Sequence, residues 1–208
     1  MIASVLAAVS RLISGANVRW RCDPPGGRQR IYYGNHSSHL DFIVIWSALP
    51  PRSRRLARPV AGRDYWERGA VRRYLSTQVF NAVLIDRKGA SPDPGNALAL
   101  AQASIQRMAD QMGDRHSLIV FPEGTRGKGG EVGEFKSGLY HLSRLRPDAE
   151  LVPVYLENLN RILPKGEALP VPMLSRVVFG PPLPLVEEED KQPFLDRART
   201  ALIQLRDN

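Results

Sequence analysis

Two short polar clusters stand far apart in this chain, each placed directly after an apolar run. The first is Asn35-His36-Ser37-Ser38-His39-Leu40-Asp41, and the second is Phe121-Pro122-Glu123-Gly124-Thr125-Arg126. The first brings an imidazole and a carboxylate together, the parts of a general base and the group that orients it. The second brings a carboxylate and a guanidinium onto a glycine turn, the parts of an anion clamp. A base that activates a hydroxyl, beside a clamp for a phosphate, suits chemistry on a phosphorylated alcohol.

The spacing sets conditions on the local fold. Five residues along a continuous helix rotate a side chain by ~140° from its starting direction. His36 and Asp41 therefore meet only if His36 precedes the helix and its turn folds back. Asn35, Ser37 and Ser38 have the composition of such a turn. In contact, Asp41 would select the imidazole tautomer and stabilise its protonated form, and an imidazole is the side chain suited to accept a proton near neutral pH. A metal site built from His36, His39 and Asp41 is the competing reading, but His-x2-His differs from the four-residue spacing of the zinc-protease helix. We expect no metal.

In the second cluster, Arg126 can grip a phosphate bidentately, and Gly124 allows close backbone approach. Glu123 is expected to orient Arg126 or a substrate hydroxyl. Arg87 and Lys136 can reach the same pocket if their segments are neighbours. An oxyanion could take backbone N–H bonds from the Ser37-Ser38 helix start or from the Gly124 turn.

The elements around these clusters read as alternating strands and helices. Strands are expected at Val18–Arg21, Arg30–Gly34, Pro59–Ala61, Ala82–Ile85, Ser117–Phe121, Leu151–Leu156 and Arg176–Phe179. Helices are expected over Leu40–Leu49, stopped by Pro50-Pro51, and from an N-cap at Asp64 toward Val79. Further helices are expected over Asn96–Met112, after Phe135-Lys136-Ser137-Gly138, and from Pro193 onward. The segment Lys88 to Gly95 and the run holding Gly127, Gly129, Gly130 and Gly133 read as loops. The pattern predicts an α/β class, a single-domain mixed sheet flanked by helices, with functional groups at strand ends.

At 208 residues the chain is long enough for one substantial core. The lone cysteine, Cys22, forbids an intrachain disulfide and a cysteine-based zinc site, and it fits a reducing compartment. Eight arginines, Arg52, Arg54, Arg55, Arg58, Arg63, Arg68, Arg72 and Arg73, crowd a short stretch opposed only by Asp64 and Glu67. That cluster is either a solvated face or a patch for an anionic membrane surface. No zinc finger, aromatic RNA-binding signature or basic recognition helix accompanies it, so nucleic acid is not an expected partner.

Ile2, Val5, Leu6, Val9, Leu12, Ile13 and Ala16 recur at helical spacing, with Ser4, Ser10, Arg11, Ser14 and Asn17 opposite. The stretch is shorter than the ~20 residues of a spanning helix. Residues 1–17 thus read as an amphipathic helix that either lies in a membrane interface or packs on its own domain, with residues 18–208 as the main domain.

Asn-His-x4-Asp followed by Phe-Pro-Glu-Gly-Thr-Arg resembles the glycerolipid acyltransferase family, typified by enzymes that acylate lysophosphatidic acid. Two lesser blocks also have counterparts, Val83-Leu84-Ile85-Asp86-Arg87 and Leu151-Val152-Pro153-Val154. The likeness spans about residues 30 to 156. Departures are Asn81 where the second block usually opens with glycine, and Tyr155 and Leu156 where a second proline often follows Pro153.

The resemblance implies that His36 is the base and Asp41 its partner. It makes Glu123, Gly124, Thr125 and Arg126, with Arg87, the acceptor-binding set. It also implies an acyl-CoA or acyl-carrier-protein thioester as donor, a lysophospholipid as acceptor and no other cofactor. The expected location is the cytoplasmic face of a membrane, peripheral or monotopic. Alternatives on the same scaffold are a different lysolipid or alcohol acceptor, or a lipid-binding protein without catalysis.

Overall fold

The computed structural model describes residues 2–38, 40–86, 94–127, 131–159 and 174–207. Its strands are β1 (Asn17–Trp20), β2 (Arg30–Gly34), β3 (Ala57–Gly62), β4 (Val83–Ile85), β5 (Ser117–Val120), β6 (Glu150–Glu157) and β7 (Arg176–Phe179). They form one seven-stranded sheet in the order β1-β7-β6-β2-β5-β3-β4. Every neighbouring pair is parallel except β6 with β7. The mixed α/β architecture expected from the alternating pattern is the one observed.

The helices are α1 (Ile2–Ser14), α2 (Asp41–Ala48), α3 (Pro51–Leu56), α4 (Arg63–Trp66), α5 (Ala70–Tyr74), α6 (Pro94–Met112), α7 (Gly138–Leu145) and α8 (Lys191–Ile203). They cover both faces of the sheet, as parallel strands require. Alternation along β2 divides the core. Ile31 and Tyr33 pack with Met112, Leu142 and Phe194 from α6, α7 and α8, whereas Tyr32 packs with Ile45, Trp46 and Phe80 on the other face. All five residues of β2 are buried, between β6 and β5.

One local expectation holds with an addition, and another is corrected. Pro50-Pro51 does end α2, but Pro51 also opens α3, where its fixed φ suits a first helical position and its missing N–H costs nothing. The single helix expected from Asp64 to Val79 is three pieces. Gly69 at φ +88° breaks it after α4, and α5 runs on as a π-helical turn over Leu75–Val79. The helical start lies at Arg63, so Asp64 is inside α4 rather than capping it.

Much of the arginine cluster is committed to this region's own structure. Arg54 is buried over the Trp46 ring. Arg58 donates to the carbonyls of Asn81 and Gln111, and Arg63 pairs with Glu67 and Asp86.

Helix α1 forms as its periodicity predicts, but its orientation differs from that of an ordinary surface helix. Ala7 and Ser14 are buried against the domain. Ser10 Oγ donates to Ser47 Oγ, and the Arg11 guanidinium donates to the Ser47 carbonyl at the C-terminal end of α2. Ser175 donates to the Ser14 carbonyl through both its N–H and its hydroxyl. Outward point Ile2, Val5, Val9 and Leu12, at 48%, 56%, 43% and 81% exposure. Ala3, Ala7 and Ile13 with the polar Ser10, Arg11 and Ser14 make the contact, and Ile2, Val5, Val9 and Leu12 face away from the protein.

Gly34 ends β2 in a crowded position. A Cβ there would stand 3.1 Å from the Val154 carbonyl oxygen and 3.3 Å from Ile45 Cδ1. Gly34→Val should therefore destabilise the fold by about 1–3 kcal/mol, the usual cost of overpacking, read as a lower midpoint in urea at unchanged m-value.

Candidate active site

Strands β2 and β5 lie side by side in parallel, with Ile31 opposite Leu118, Tyr32 opposite Ile119 and Tyr33 opposite Val120. Continued past the strand ends, that register sets His36 beside Glu123. The two clusters meet at the C-terminal edge of the sheet, where open α/β folds place their sites.

Asn35 anchors the first turn. Its amide donates to the Leu156 carbonyl at 2.8 Å and accepts the Leu156 N–H at 2.8 Å, extending the ladder with β6 one residue beyond β2. The backbone of His36 is then held from the second cluster. Its N–H donates to Glu123 Oε1 at 2.8 Å, and its carbonyl accepts the Gly127 N–H at 2.8 Å.

His36 precedes α2, as the rotation argument requires, and its Nδ1 lies 2.8 Å from Asp41 Oδ2. That carboxylate oxygen also accepts the N–H groups of Ser37 and Ser38 at 2.7 and 2.9 Å. Asp41 is fully buried, and the His36 side chain is 19% exposed. A buried carboxylate facing Nδ1 holds the proton on that nitrogen and leaves the Nε2 lone pair able to accept a proton. The ring is stacked on Phe121, with centroids 4.3 Å apart and planes 18° from parallel. Helix start, aromatic face and carboxylate together leave the imidazole little freedom to turn.

Glu123 does something other than orient Arg126. It is buried, Oε1 accepts the His36 N–H, and Oε2 accepts the Gly133 N–H at 3.1 Å. Burial pushes its carboxyl above the usual carboxylate range, and the two N–H bonds pull against that shift. Gly124 follows at φ +70°, its N–H bonded to the Phe121 carbonyl at 3.0 Å. The backbone donors foreseen for an oxyanion at Ser37, Ser38 and Gly124 are therefore already engaged. Thr125 is exposed and Arg126 half-buried, and Arg126 forms no hydrogen bond or ion pair with a described residue.

Arg87 lies outside the described residues. Asp86, immediately before it, pairs with Arg63 at 3.0 Å beside the end of β4. His39 also lies outside them, and the described residues contain no cluster of three His, Cys, Asp or Glu side chains able to hold a metal.

Next to His36 opens an apolar cavity of about 200 Å³. It is lined by Val60, Ile85 and Val120 from the sheet and by Met108, Leu139 and Leu142 from α6 and α7. His36, Phe121, Gly124 and Lys136 also line it. The motifs carried no sign of this cavity; the apolar faces of α6 and α7 were its only trace in the sequence. The departure at Asn81 has a backbone cause. Asn81 has φ +48°, a left-handed conformation that favours glycine and that asparagine tolerates better than other side chains.

A sequence model of the family described as Acyltransferase matches residues 17–157. The chain belongs to the acyltransferase family. It is 26% identical over 181 residues to the 1-acyl-sn-glycerol-3-phosphate acyltransferase alpha of Bos taurus, a match covering 86% of this chain and 58% of the bovine protein. It is 27% identical over 160 residues to the 1-acyl-sn-glycerol-3-phosphate acyltransferase of Limnanthes douglasii, covering 75% of this chain and half of that one. The crystal structure of the 1-acyl-sn-glycerophosphate (LPA) acyltransferase PlsC from Thermotoga maritima superimposes with a TM-score of 0.67 at 18% identity, over 98% of this chain and 79% of that one. That likeness is one of fold.

Glu123→Gln tests the brace between the clusters. An amide can accept one of the two N–H bonds but turns its NH2 toward the other donor, leaving a buried N–H unpaired. The expected cost is roughly 1–3 kcal/mol of stability with reduced turnover and a nearly unchanged KM for the donor, read by denaturation and steady-state kinetics.

Proposed function

We propose that this acyltransferase-family chain moves a fatty acyl group from an acyl thioester to the free hydroxyl of a lysophospholipid, turning lysophosphatidic acid into phosphatidic acid. The observation that carries the proposal is the His36–Asp41 pair, 2.8 Å apart, at an apolar cavity. The cavity suits an alkyl chain, and the base stands where the thioester at the end of that chain would lie. The relatives' names point to the same acceptor class. The donor is acyl-CoA or an acyl-carrier protein, and no cofactor is required.

The reaction needs no covalent acyl-enzyme. The acceptor hydroxyl gives its proton to His36 Nε2 as its oxygen bonds to the thioester carbonyl carbon. The carbonyl electron pair moves onto oxygen, and the buried Asp41 carboxylate stabilises the imidazolium. Collapse re-forms the carbonyl and breaks the C–S bond, and the departing thiolate takes the proton back from His36. Arg126, half-buried on the turn after β5, is the proposed phosphate clamp, with Thr125 and Arg87 as further acceptor contacts. Glu123 and Gly124 shape the loop that carries them.

A purified protein incubated with a labelled acyl thioester and a panel of lysolipids, with products identified by mass, tests the activity. In the same assay His36→Ala should lower turnover by roughly a hundred- to ten-thousand-fold with the fold intact. Arg126→Ala should chiefly raise the KM of a phosphorylated acceptor, by roughly ten- to a hundred-fold for a lost charge-assisted contact. An equal penalty on unphosphorylated acceptors would remove the clamp assignment.

We further propose that α1 (Ile2–Ser14), within the expected segment 1–17, lies in the membrane interface at the cytoplasmic face, attached to the catalytic domain of residues 18–208. None of the described helices is long and apolar enough to cross a membrane. The support is the outward aliphatic row of α1, with the arginines of residues 52–73 that remain solvent-facing. One marginal anchor rarely suffices alone, and basic residues near an anionic surface add to it. Leu12→Asp with Val5→Asp should weaken binding to anionic vesicles in sedimentation assays, and raised salt should release much of the remainder. Unchanged binding by the double variant would rule the helix out as an anchor.

A further inference from the structure

A tetrahedral intermediate places a full negative charge on the former carbonyl oxygen, and the strongest known help is a preorganised donor aimed at that point. In many acyl-transfer sites backbone N–H groups serve. Here five of the nearest are spent. The N–H groups of Ser37 and Ser38 go to Asp41, that of His36 to Glu123, that of Gly124 to Phe121 and that of Gly127 to the His36 carbonyl.

Among the described residues, one cation lines the cavity together with His36, and it is Lys136. Its backbone N–H donates to the Pro122 carbonyl at 2.9 Å, which fixes its origin beside the second cluster. Its side chain then lies across the Gly124 turn. A Cβ on residue 124 would come within 2.8 Å of Lys136 Nζ, 3.0 Å of Cδ and 3.1 Å of Cε. The missing side chain at Gly124 is therefore the space that the lysine occupies. Among the described residues the ammonium has no hydrogen-bond or ion-pair partner, so its charge is not committed elsewhere in the fold.

We propose that Lys136 is the residue that stabilises the oxyanion, an assignment that rests on the acyl-transfer reading above. With the acyl chain in the apolar cavity, its thioester end comes to the part lined by His36, Gly124 and Lys136. As the acceptor oxygen bonds to the carbonyl carbon and its proton passes to His36, the carbonyl electron pair moves onto oxygen beside the Lys136 ammonium. When the C–S bond breaks, that pair returns to the carbonyl and the thiolate leaves with the His36 proton. Lys136 donates hydrogen bonds throughout and keeps its own protons. Arg126 does not line the cavity, which divides the labour between one cation for the carbonyl oxygen and another for the acceptor phosphate.

The test uses the full chain and two variants, Lys136→Met and Lys136→Arg, each checked for an unchanged melting profile. Turnover and KM are measured with a phosphorylated and an unphosphorylated acceptor, and slow thioester hydrolysis is measured with no acceptor present. Lys136→Met should lower turnover by roughly a hundred- to a thousand-fold, by the same factor for both acceptors and for hydrolysis, with little change in either KM. Lys136→Arg should recover part of the loss.

A Lys136→Met protein with parental turnover overturns the assignment. So does a loss confined to the KM of the phosphorylated acceptor, which would make Lys136 a phosphate ligand. A parent that transfers acyl groups while Lys136→Met is unimpaired removes this assignment alone. A parent inert toward every acceptor and toward water removes the acyl-transfer reading as well.

Discussion

The Glu123 carboxylate is the contact on which the site's geometry depends. Its two oxygens bind the N–H of His36 and the N–H of Gly133, so one buried side chain ties the turn after β2 to the loop after β5. Without it, among the described residues, the two turns would be joined at this level by the Gly127 to His36 hydrogen bond and the His36–Phe121 stack. A buried carboxylate satisfied by backbone donors is rigid as well as costly to disturb. It holds His36 by its main chain and leaves the imidazole to Asp41 and the cavity.

From this brace the rest follows in sequence. Asn35 aligns β2 with β6, Asp41 gathers the N–H groups of Ser37 and Ser38 while facing the ring, and Phe121 supports the ring from one side. The helix start that a carboxylate stabilises electrostatically is also the start that fixes the His36 ring. Glycine at 124 allows the left-handed turn and makes room for Lys136 in one stroke. Electrostatic and steric demands at this sheet edge are met by the same few residues.

Much of this was legible in the amino-acid sequence, and the limits have physical causes. The buried runs at Arg30–Gly34 and Ser117–Val120 are too apolar to be anything but interior strands, and the His36–Asp41 meeting follows from helical rotation. The role of Glu123 was not legible, because it depends on the parallel register of two strands 87 residues apart along the chain. The break at Gly69 was missed because helical periodicity on either side masks one left-handed residue. The inward face of α1 stayed open because apolar patterning marks a stripe without saying what the stripe touches. Hydrogen bonds to Ser47 and Ser175 decide that here.

That inverted helix has a consequence for how the protein behaves outside its native setting. A domain that offers Ile2, Val5, Val9 and Leu12 of one helix to solvent is under steady pressure to cover them. In plain buffer the nearest apolar phase is another copy of the chain, so concentration favours clusters joined through α1. Those clusters would be held by side chains remote from the sheet, and mild detergent would disperse them without unfolding the core. Colloidal instability of this kind reflects a surface left unfinished by the fold, with the interior itself sound.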